Sequence, residues 1–270
     1  MSAITASVEL FSDSRCTVPY IKMGNGSSTL AVLPGLNVTN VAEDPVTYQA
    51  EYEYYAEHDF TVYIIDRRTD VKKSFSIEEM AQDTLYVMQK LKLAKPFLYG
   101  HSQGGMIAQC LLLLKESFFA KAVLCATTAY TDEKSAAILN KWFQYAEKKD
   151  TDSLFRNFAE TLYKESDFEA RWQLLKQFVP SIKDEQLANF LRNGRSILDF
   201  DVRDRLKPLT IPSLVIGSVK DQVFSSELSL ELARKTGSML YLYENAGHCI
   251  YDEEPSMNRR VAAFLKGEER

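Results

Sequence analysis

The chain has 270 residues, of which 46% are hydrophobic and 26% charged, and its formal net charge is −5. This balance is typical of a folded globular protein with a sizeable core. Lysine and arginine occur singly or in short runs, whereas nucleic-acid binding needs a concentrated basic face. We therefore expect no nucleic-acid partner.

The first ten residues contain neither a basic segment nor an apolar one, so no signal peptide is expected. The longest apolar stretch, around 106–114, is shorter than the roughly 18 residues that a membrane span needs. The cysteines form no C-x-x-C pair and have no ligand spacing with the histidines. The sequence thus predicts a cytoplasmic, reduced protein without metal or cofactor.

Three short β-rich segments begin the chain, at 7–12, 17–23 and 29–33. Between the last two lies Gly-Asn-Gly at 24–26, which tolerates the positive φ of a tight turn and predicts a β-hairpin. A helix is predicted over 45–57, because apolar side chains recur there at helical spacing after a proline that suits a first turn.

Strands and helices then alternate as far as residue 130. The predicted elements are a strand at 60–65, a helix at 77–91, a strand at 96–99, a helix at 104–115 and a strand at 122–126. Ser76 is the expected N-cap of the second helix, with Glu79 three residues on. Strands that are apolar on both faces and alternate with helices imply a parallel sheet covered by helices.

Between 131 and 207 the strands stop, and aromatic residues at helical spacing predict four short helices. The sheet resumes with a strand at 213–216, a helix at 227–235, a strand at 238–243 and a helix after Pro255. This predicts a core of 1–130 and 208–270 with a helical cap of 131–207 inserted in it. The aromatic residues of this cap are interpreted first as its own core and in part as the roof of a pocket for an apolar acyl or aromatic group: Trp142, Phe143, Phe155, Phe158 and Trp172.

A G-x-S-x-G motif follows the apolar strand that ends at Tyr99. It reads Gly100-His101-Ser102-Gln103-Gly104 and leads into an apolar helix. A sharp strand–turn–helix of this kind raises the serine hydroxyl above the sheet edge. Ser102 is therefore the candidate nucleophile.

A serine hydroxyl needs a base to take its proton and an acid to orient that base. Of the three histidines, His58 precedes the motif and His101 neighbours the serine in the turn. His248, in a loop after an apolar strand, is therefore the candidate base. Asp221, in the loop after the strand at 213–216, is the candidate acid, and Asp132 is a possible substitute.

Acyl transfer also needs two donors aimed at the developing oxyanion. One is the backbone N–H of Gln103, which follows the nucleophile. The loop Leu33-Pro34-Gly35-Leu36, after an earlier strand, is the natural source of the second, the N–H of Leu36.

Together these motifs resemble the α/β-hydrolase superfamily over nearly the whole chain. The matching segments are the loop at 33–36, Asp66-Arg67-Arg68 after the next strand, the motif at 100–105, Asp221, and Ala246-Gly247-His248 with Glu254-Pro255. The chain departs from many relatives in two places: Pro34-Gly35 replaces His-Gly, and the glycines that often follow Asp-x-Arg are absent. Neither departure removes a catalytic group.

The expected function is hydrolysis of an ester or related acyl bond in a small molecule, without a cofactor. Two alternatives remain open. One is a carbon–carbon bond hydrolase, cofactor-free haloperoxidase or lyase with the same residues, since one fold supports several reactions. The other is a non-catalytic protein that only binds a ligand beneath the cap.

Overall fold

A computed structural model describes residues 6–71 and 74–268 of the chain. Within these ranges eight strands form one sheet, in the order β1-β2-β4-β3-β5-β6-β7-β8. The strands are β1 (Ala6–Ser12), β2 (Thr17–Met23), β3 (Ser28–Leu33), β4 (Phe60–Ile65), β5 (Phe97–His101), β6 (Ala122–Cys125), β7 (Ser213–Ser218) and β8 (Met239–Tyr243).

Ten α-helices occur in the same described ranges. They are α1 (Pro45–Glu57), α2 (Ile77–Lys90), α3 (Gln103–Lys115), α4 (Glu133–Glu147), α5 (Thr151–Leu162), α6 (Phe168–Leu175), α7 (Asp184–Arg195), α8 (Ser226–Thr236), α9 (Ile250–Glu253) and α10 (Ser256–Lys266). The sequence predicted all of these except the short α9. The N-terminal capping box of α2 is confirmed, because Ser76 Oγ accepts the Glu79 N–H at 3.2 Å and Glu79 accepts the Ser76 N–H at 2.8 Å.

Only β2 runs against the other strands, since it pairs antiparallel with both β1 and β4. The hairpin predicted between β2 and β3 is therefore wrong, because β4 lies between them. Gly24 and Gly26 instead let the chain pass close to the turn between α1 and β4. Gly24 adopts a φ of +70°, and a Cβ on Gly26 would lie 2.0 Å from the carbonyl carbon of Asp59, so the chain passes directly under the α1–β4 turn.

Helices cover both faces of the sheet. Helices α1 and α10 pack on one face, where Tyr52, Tyr55 and Phe264 are buried. Helices α2, α3 and α8 pack on the other, with Met80, Leu111 and Leu232 in its core. The central parallel strands β3, β5, β6 and β7 are thus buried on both sides, as their apolar sequences require.

Helices α4 to α7 lie between β6 and β7. We call residues 131–207 the helical insertion. Its aromatic side chains pack mainly on one another: the Trp142 and Phe158 rings meet edge to face at 5.1 Å, and Phe143 and Phe190 at 5.9 Å. An aromatic core of this kind lets four short helices hold together beside the sheet.

The strand order brings two loops together at one edge of the sheet. Strands β3 and β5 are neighbours in the sheet. The chain leaves β3 toward β4 on one side and leaves β5 toward β6 on the other, so the two connections diverge. A crevice forms at such a switch point, outside the carboxyl ends of the strands. Here it is bounded by the 33–36 loop and the turn at Ser102.

Candidate active site

Ser102 sits in a strained turn between β5 and α3. Its backbone has a φ of 53° and a ψ of −120°, a conformation that L-residues rarely adopt. The Ser102 N–H donates to the Cys125 carbonyl at 2.9 Å, and its carbonyl accepts from the Thr127 hydroxyl at 2.8 Å. These bonds to the neighbouring strand end hold the turn in place.

The turn tolerates no side chain on the glycines that flank it. A Cβ on Gly100 would lie 2.5 Å from the Gly104 carbonyl oxygen. A Cβ on Gly104 would lie 2.0 Å from the Leu33 carbonyl oxygen. Helix α3 can therefore start directly against β3, which brings the serine beside the 33–36 loop.

A chain of hydrogen bonds joins three predicted side chains. His248 Nε2 lies 2.9 Å from Ser102 Oγ, and His248 Nδ1 lies 2.8 Å from Asp221 Oδ2. Since a carboxylate only accepts, the N–H of the neutral imidazole is on Nδ1, and Nε2 is free to accept the serine proton. All three side chains are buried.

Backbone contacts fix the acid and the base. The second oxygen of Asp221 accepts the N–H groups of Val223 and Phe224 at 2.8 and 2.9 Å. In the histidine loop, the Gly247 N–H donates to Glu253 at 2.6 Å. Two residues on, the Cys249 N–H donates to the carbonyl of Leu162 at the end of α5, so the helical insertion helps to hold the loop.

Asp132 and His58, which the sequence also offered, and Cys249, which follows His248, take no part in this hydrogen-bond chain. Asp132 caps α4 by accepting the Ser135 N–H at 2.8 Å, so it is occupied away from the histidine. His58 is an exposed residue at the end of α1, where its ring stacks on Tyr54. Cys249 is buried, which raises the pKa of its thiol well above the usual range and keeps it protonated.

The 33–36 loop lies directly against the serine. A Cβ on Gly35 would be 3.3 Å from Ser102 Cβ, so this position needs glycine for close approach. Neither the Leu36 N–H nor the Gln103 N–H has a hydrogen-bond acceptor among the described residues. Gln103 is the first residue of α3, where backbone N–H groups have no partner within the helix. Both amides thus remain available to a ligand atom.

Arg67 holds the 33–36 loop through hydrogen bonds to its backbone carbonyls. Its guanidinium donates to the Pro34 carbonyl at 3.0 Å and the Gly35 carbonyl at 2.6 Å, and its Nη1 is 3.3 Å from the Asp66 carboxylate. Asp66 also accepts the Val41 N–H at 2.9 Å. The planar fork of arginine suits two carbonyls side by side. Asp66-Arg67 was visible in the sequence, but nothing there indicated which loop Arg67 would hold.

Helix α7 of the insertion contacts both Gln103 and Leu36, the two residues near Ser102 with free backbone N–H groups. Gln103 Nε2 donates to the Asn193 carbonyl at 2.6 Å. A Cβ on Gly194 would lie 2.8 Å from Leu36 Cδ2 and 2.5 Å from a ring carbon of Phe143. Sequence reasoning missed this contact, because it joins segments some 90 residues apart.

Ser102 and His248 line a cavity of about 500 Å³. One part, the apolar lobe, is formed mainly by the insertion and the loop after β7: Leu139, Trp142, Phe155, Phe158, Ile197 and Phe224. The other part, the polar lobe, is formed by α1, α9 and α10: Asp44, Glu51, Tyr52, Tyr251, Asp252 and Asn258. Of the aromatic residues predicted to line a pocket, Trp142, Phe155 and Phe158 do so.

His101 lies between His248 and Tyr251 of the polar lobe. Its Nε2 donates to the His248 carbonyl at 3.3 Å, and its ring meets that of Tyr251 edge to face at 5.1 Å. Burial lowers the pKa of His101 to about 3, so the ring is neutral. Because Nε2 carries the proton, Nδ1 is an acceptor.

Comparisons with known proteins agree with this architecture. Residues 48–255 match the family model of the alpha/beta hydrolase fold, and the chain belongs to this family of enzymes. No described part of the chain contains a helix long and apolar enough to cross a membrane. No group of three or more His, Cys, Asp or Glu side chains in the described ranges could hold a metal ion.

Individual relatives resemble the chain over most of its length. A putative carbamate hydrolase of Rhizobium rhizogenes is 25% identical over 224 residues, covering 77% of this chain and 83% of the relative. An alpha/beta hydrolase enzyme from a Medee basin deep-sea metagenome library superposes with a TM-score of 0.86 at 16% identity, covering 97% and 98% of the two chains. An enol-lactonase of Burkholderia xenovorans gives a TM-score of 0.82 at 19% identity, covering 96% and 100%.

Proposed function

We propose that this protein is a serine hydrolase that cleaves an ester or related acyl bond of a small molecule. The observation that carries the proposal is the hydrogen-bond chain in the cavity, with 2.9 Å from Ser102 Oγ to His248 Nε2 and 2.8 Å from His248 Nδ1 to Asp221 Oδ2. Nucleophile, base and orienting acid in this order meet the requirements of nucleophilic acyl transfer.

In this mechanism His248 takes the Ser102 proton as Oγ attacks the substrate carbonyl. The Leu36 and Gln103 N–H groups stabilise the resulting oxyanion. Asp221 orients the imidazole and stabilises its cationic form, and His248 then passes the proton to the leaving group. Water, activated by the same histidine, attacks the acyl-enzyme and releases the acid product. The chemistry calls for no cofactor or metal.

The helical insertion is proposed to act as a cap. Its apolar side chains form most of the apolar lobe, which suits an apolar acyl or aromatic group. Covering the serine in this way limits bulk water and strengthens the hydrogen bonds to the oxyanion. Carbamates and enol-lactones, on which two relatives are named to act, contain acyl bonds that this chemistry could cleave.

A fluorophosphonate probe tests the proposal, since it reacts only with an activated serine. Wild type should be labelled at Ser102, and Ser102→Ala and His248→Ala should not be labelled. A panel of short and long p-nitrophenyl esters then tests turnover. Absence of labelling in folded wild type would contradict the proposal and favour a ligand-binding protein. Labelling without turnover of any ester would favour carbon–carbon bond hydrolysis, haloperoxidase or lyase chemistry.

A further inference from the structure

The polar lobe of the cavity has an uneven charge distribution. Three carboxylates line the cavity, Asp44, Glu51 and Asp252, whereas none of the described lining residues is a lysine or arginine. An anionic substrate group would be repelled here, and a cationic one attracted.

Two of these carboxylates, Asp252 and Glu51, differ in their partners. Asp252 is neutralised from outside the cavity, because Arg171 Nη1 lies 3.6 Å from its Oδ2, and it also accepts the Tyr163 hydroxyl at 3.0 Å. Glu51, half-buried on α1, forms no ion pair with any described residue. Asp44 also forms no ion pair within the described ranges, but its side chain caps α1 by accepting the Thr47 N–H at 3.4 Å. Among the described residues, Glu51 is therefore the lining carboxylate with neither a counter-ion nor a capping role.

A second, independent observation comes from His101. This side chain is 5% exposed, and its Nδ1 is an acceptor without a hydrogen-bond partner among the described residues. A Cβ on Gly35 would lie 3.1 Å from Nδ1 and 3.3 Å from Ser102 Cβ, so Nδ1 and the Ser102 side chain both lie against the 33–36 loop at Gly35. Because His101 lines the cavity, a donor on a ligand there can pair with this acceptor.

The polar lobe and the adjoining His101 therefore offer mainly acceptors and aromatic faces. A carboxylate without a counter-ion, a bare imidazole nitrogen and the ring of Tyr52 line the same cavity as Ser102. The complementary ligand carries positive charge and several donors on one small group. A protonated primary amine has three N–H donors and interacts favourably with aromatic faces.

We propose that the polar lobe binds a primary ammonium group of the substrate, with Glu51 as its counter-ion. This inference rests on the proposed function, and it narrows the substrates to acyl compounds that carry an alkylammonium group near the scissile bond. The apolar part of such a substrate would occupy the apolar lobe.

The electrostatic surroundings of Glu51 give the proposal a pH signature. Asp44 and the Tyr251 hydroxyl face it, as does Asp252 with Arg171 behind it; Tyr48, Tyr52 and Cys249 are close by. Burial, and after it repulsion from Asp252, raises the pKa of Glu51 to about 8. Glu51 thus becomes fully charged only above that pH, while an alkylammonium keeps its charge to about pH 10.

The experiment compares pairs of isosteric esters. Aminopropyl, aminobutyl and aminopentyl butanoates are each paired with the n-alkyl butanoate in which CH3 replaces NH3⁺. The measured quantity is kcat/KM for the cationic ester divided by kcat/KM for the neutral ester. In this ratio the effects of pH on Ser102, His248 and Asp221 cancel. For at least one chain length the wild-type ratio should reach about ten at pH 9, since a charged hydrogen bond contributes enough for a tenfold change. The ratio should be smaller at pH 6.5.

Glu51→Gln should reduce this ratio to near one at both pH values. The matched control is Glu53→Gln, which removes the same charge from the exposed side of α1 and should keep the wild-type ratio. A wild-type ratio of one or less for all three lengths would overturn the proposal. So would a ratio that is equally high in Glu51→Gln.

Calorimetry separates a failure of this inference from a failure of the proposed function. If fluorophosphonate does not label Ser102, or no butanoate is hydrolysed, n-pentylammonium and 1-pentanol are titrated into wild type and Glu51→Gln at pH 9. Binding of the ammonium that is at least about tenfold weaker in Glu51→Gln would support the amine site without the reaction. No saturable binding of the ammonium to wild type would overturn it.

Discussion

The side-chain amide of Gln103 donates a hydrogen bond of 2.6 Å to the carbonyl of Asn193, near the end of α7. Gln103 directly follows the proposed nucleophile, and its own N–H is a proposed oxyanion donor. The carbonyl of Asn193 is available because the last carbonyls of a helix lack an intrahelical partner. Gln103 therefore links the helical insertion directly to the proposed oxyanion site.

Replacing Gln103 should affect the reaction more than substrate binding. In Gln103→Leu we expect kcat to fall about tenfold with little change in KM, because the donor loses its anchor to α7. Steady-state kinetics on the best p-nitrophenyl ester measures the effect. Gln109→Leu, on the same helix, is the control: it breaks buried hydrogen bonds to the carbonyls of Gly105 and Thr128 but does not contact α7. An equal loss of kcat in both variants would contradict a specific link.

Gly194 should tolerate no larger residue. A Cβ there would lie 2.5 Å from Phe143 and 2.8 Å from Leu36, so in Gly194→Ala the Phe143 ring, the Leu36 side chain or α7 itself must shift. We expect a loss of about 1–3 kcal/mol in the free energy of unfolding, as for other overpacked sites, together with slower fluorophosphonate labelling. Urea denaturation and labelling rates measure the two effects. A fully active, stable variant would show that α7 does not set the position of the 33–36 loop.

Asp221 and Asp132 should be clearly distinguished by the same substitution. Asp221→Asn should lower kcat about 10⁴-fold, because an amide stabilises the wrong tautomer of His248. Asp132→Asn should retain near wild-type kcat, since asparagine also caps a helix. Ester hydrolysis by the two purified variants is the measurement. The reverse pattern would mean that Asp132 acts as the acid.

Arg67 should be more sensitive to substitution than its neighbour. In Arg67→Lys a single ammonium cannot reproduce the fork that holds the Pro34 and Gly35 carbonyls. We expect kcat/KM to fall about tenfold, consistent with partial loss of one oxyanion donor. Arg68→Lys is the control, because Arg68 pairs with Asp70 and Asp83 outside the cavity. Similar activities in both variants would show that the loop holds its shape without Arg67.

The raised pKa of Glu51 also predicts how stability depends on pH. The pKa of Glu51 is about 8 in the folded protein and close to the ordinary glutamate value of 4.5 when unfolded, so folding favours the protonated form. Below the unfolded pKa of 4.5, Glu51 does not reduce the free energy of unfolding. As the pH rises from there through the folded pKa of about 8, the free energy of unfolding falls progressively.

In Glu51→Gln this cost is absent. The melting temperatures of the variant and wild type should be similar near pH 4.5. At pH 9 the variant should melt higher by at least about 2 °C, the shift expected for a fraction of a kcal/mol or more. Thermal denaturation at several pH values tests this. A constant difference across the range would mean that Glu51 is not the titrating group.

Features that depend on residues adjacent in the chain could be predicted from the sequence. The alternation of apolar strands and helices, and the strand–turn–helix around Ser102, follow from residues adjacent in the chain, so the parallel sheet and the sharp turn were predictable. The hairpin between β2 and β3 was predicted wrongly, because turn residues report only that the chain reverses. Which strand lies beside which depends on burial over the whole sheet, and β4 is more apolar than β2.

The sequence by itself determined the order of the elements and the family, and it identified the residues proposed to perform acyl transfer, because glycine spacing and side-chain chemistry are encoded locally. Only the tertiary structure decided that Arg67 supports the 33–36 loop, that Gln103 reaches Asn193, and that Glu51 lies in a cavity without a counter-ion. Each of these depends on packing between segments distant in the chain, and on which charges that packing removes from water. A single sequence carries no direct record of such contacts.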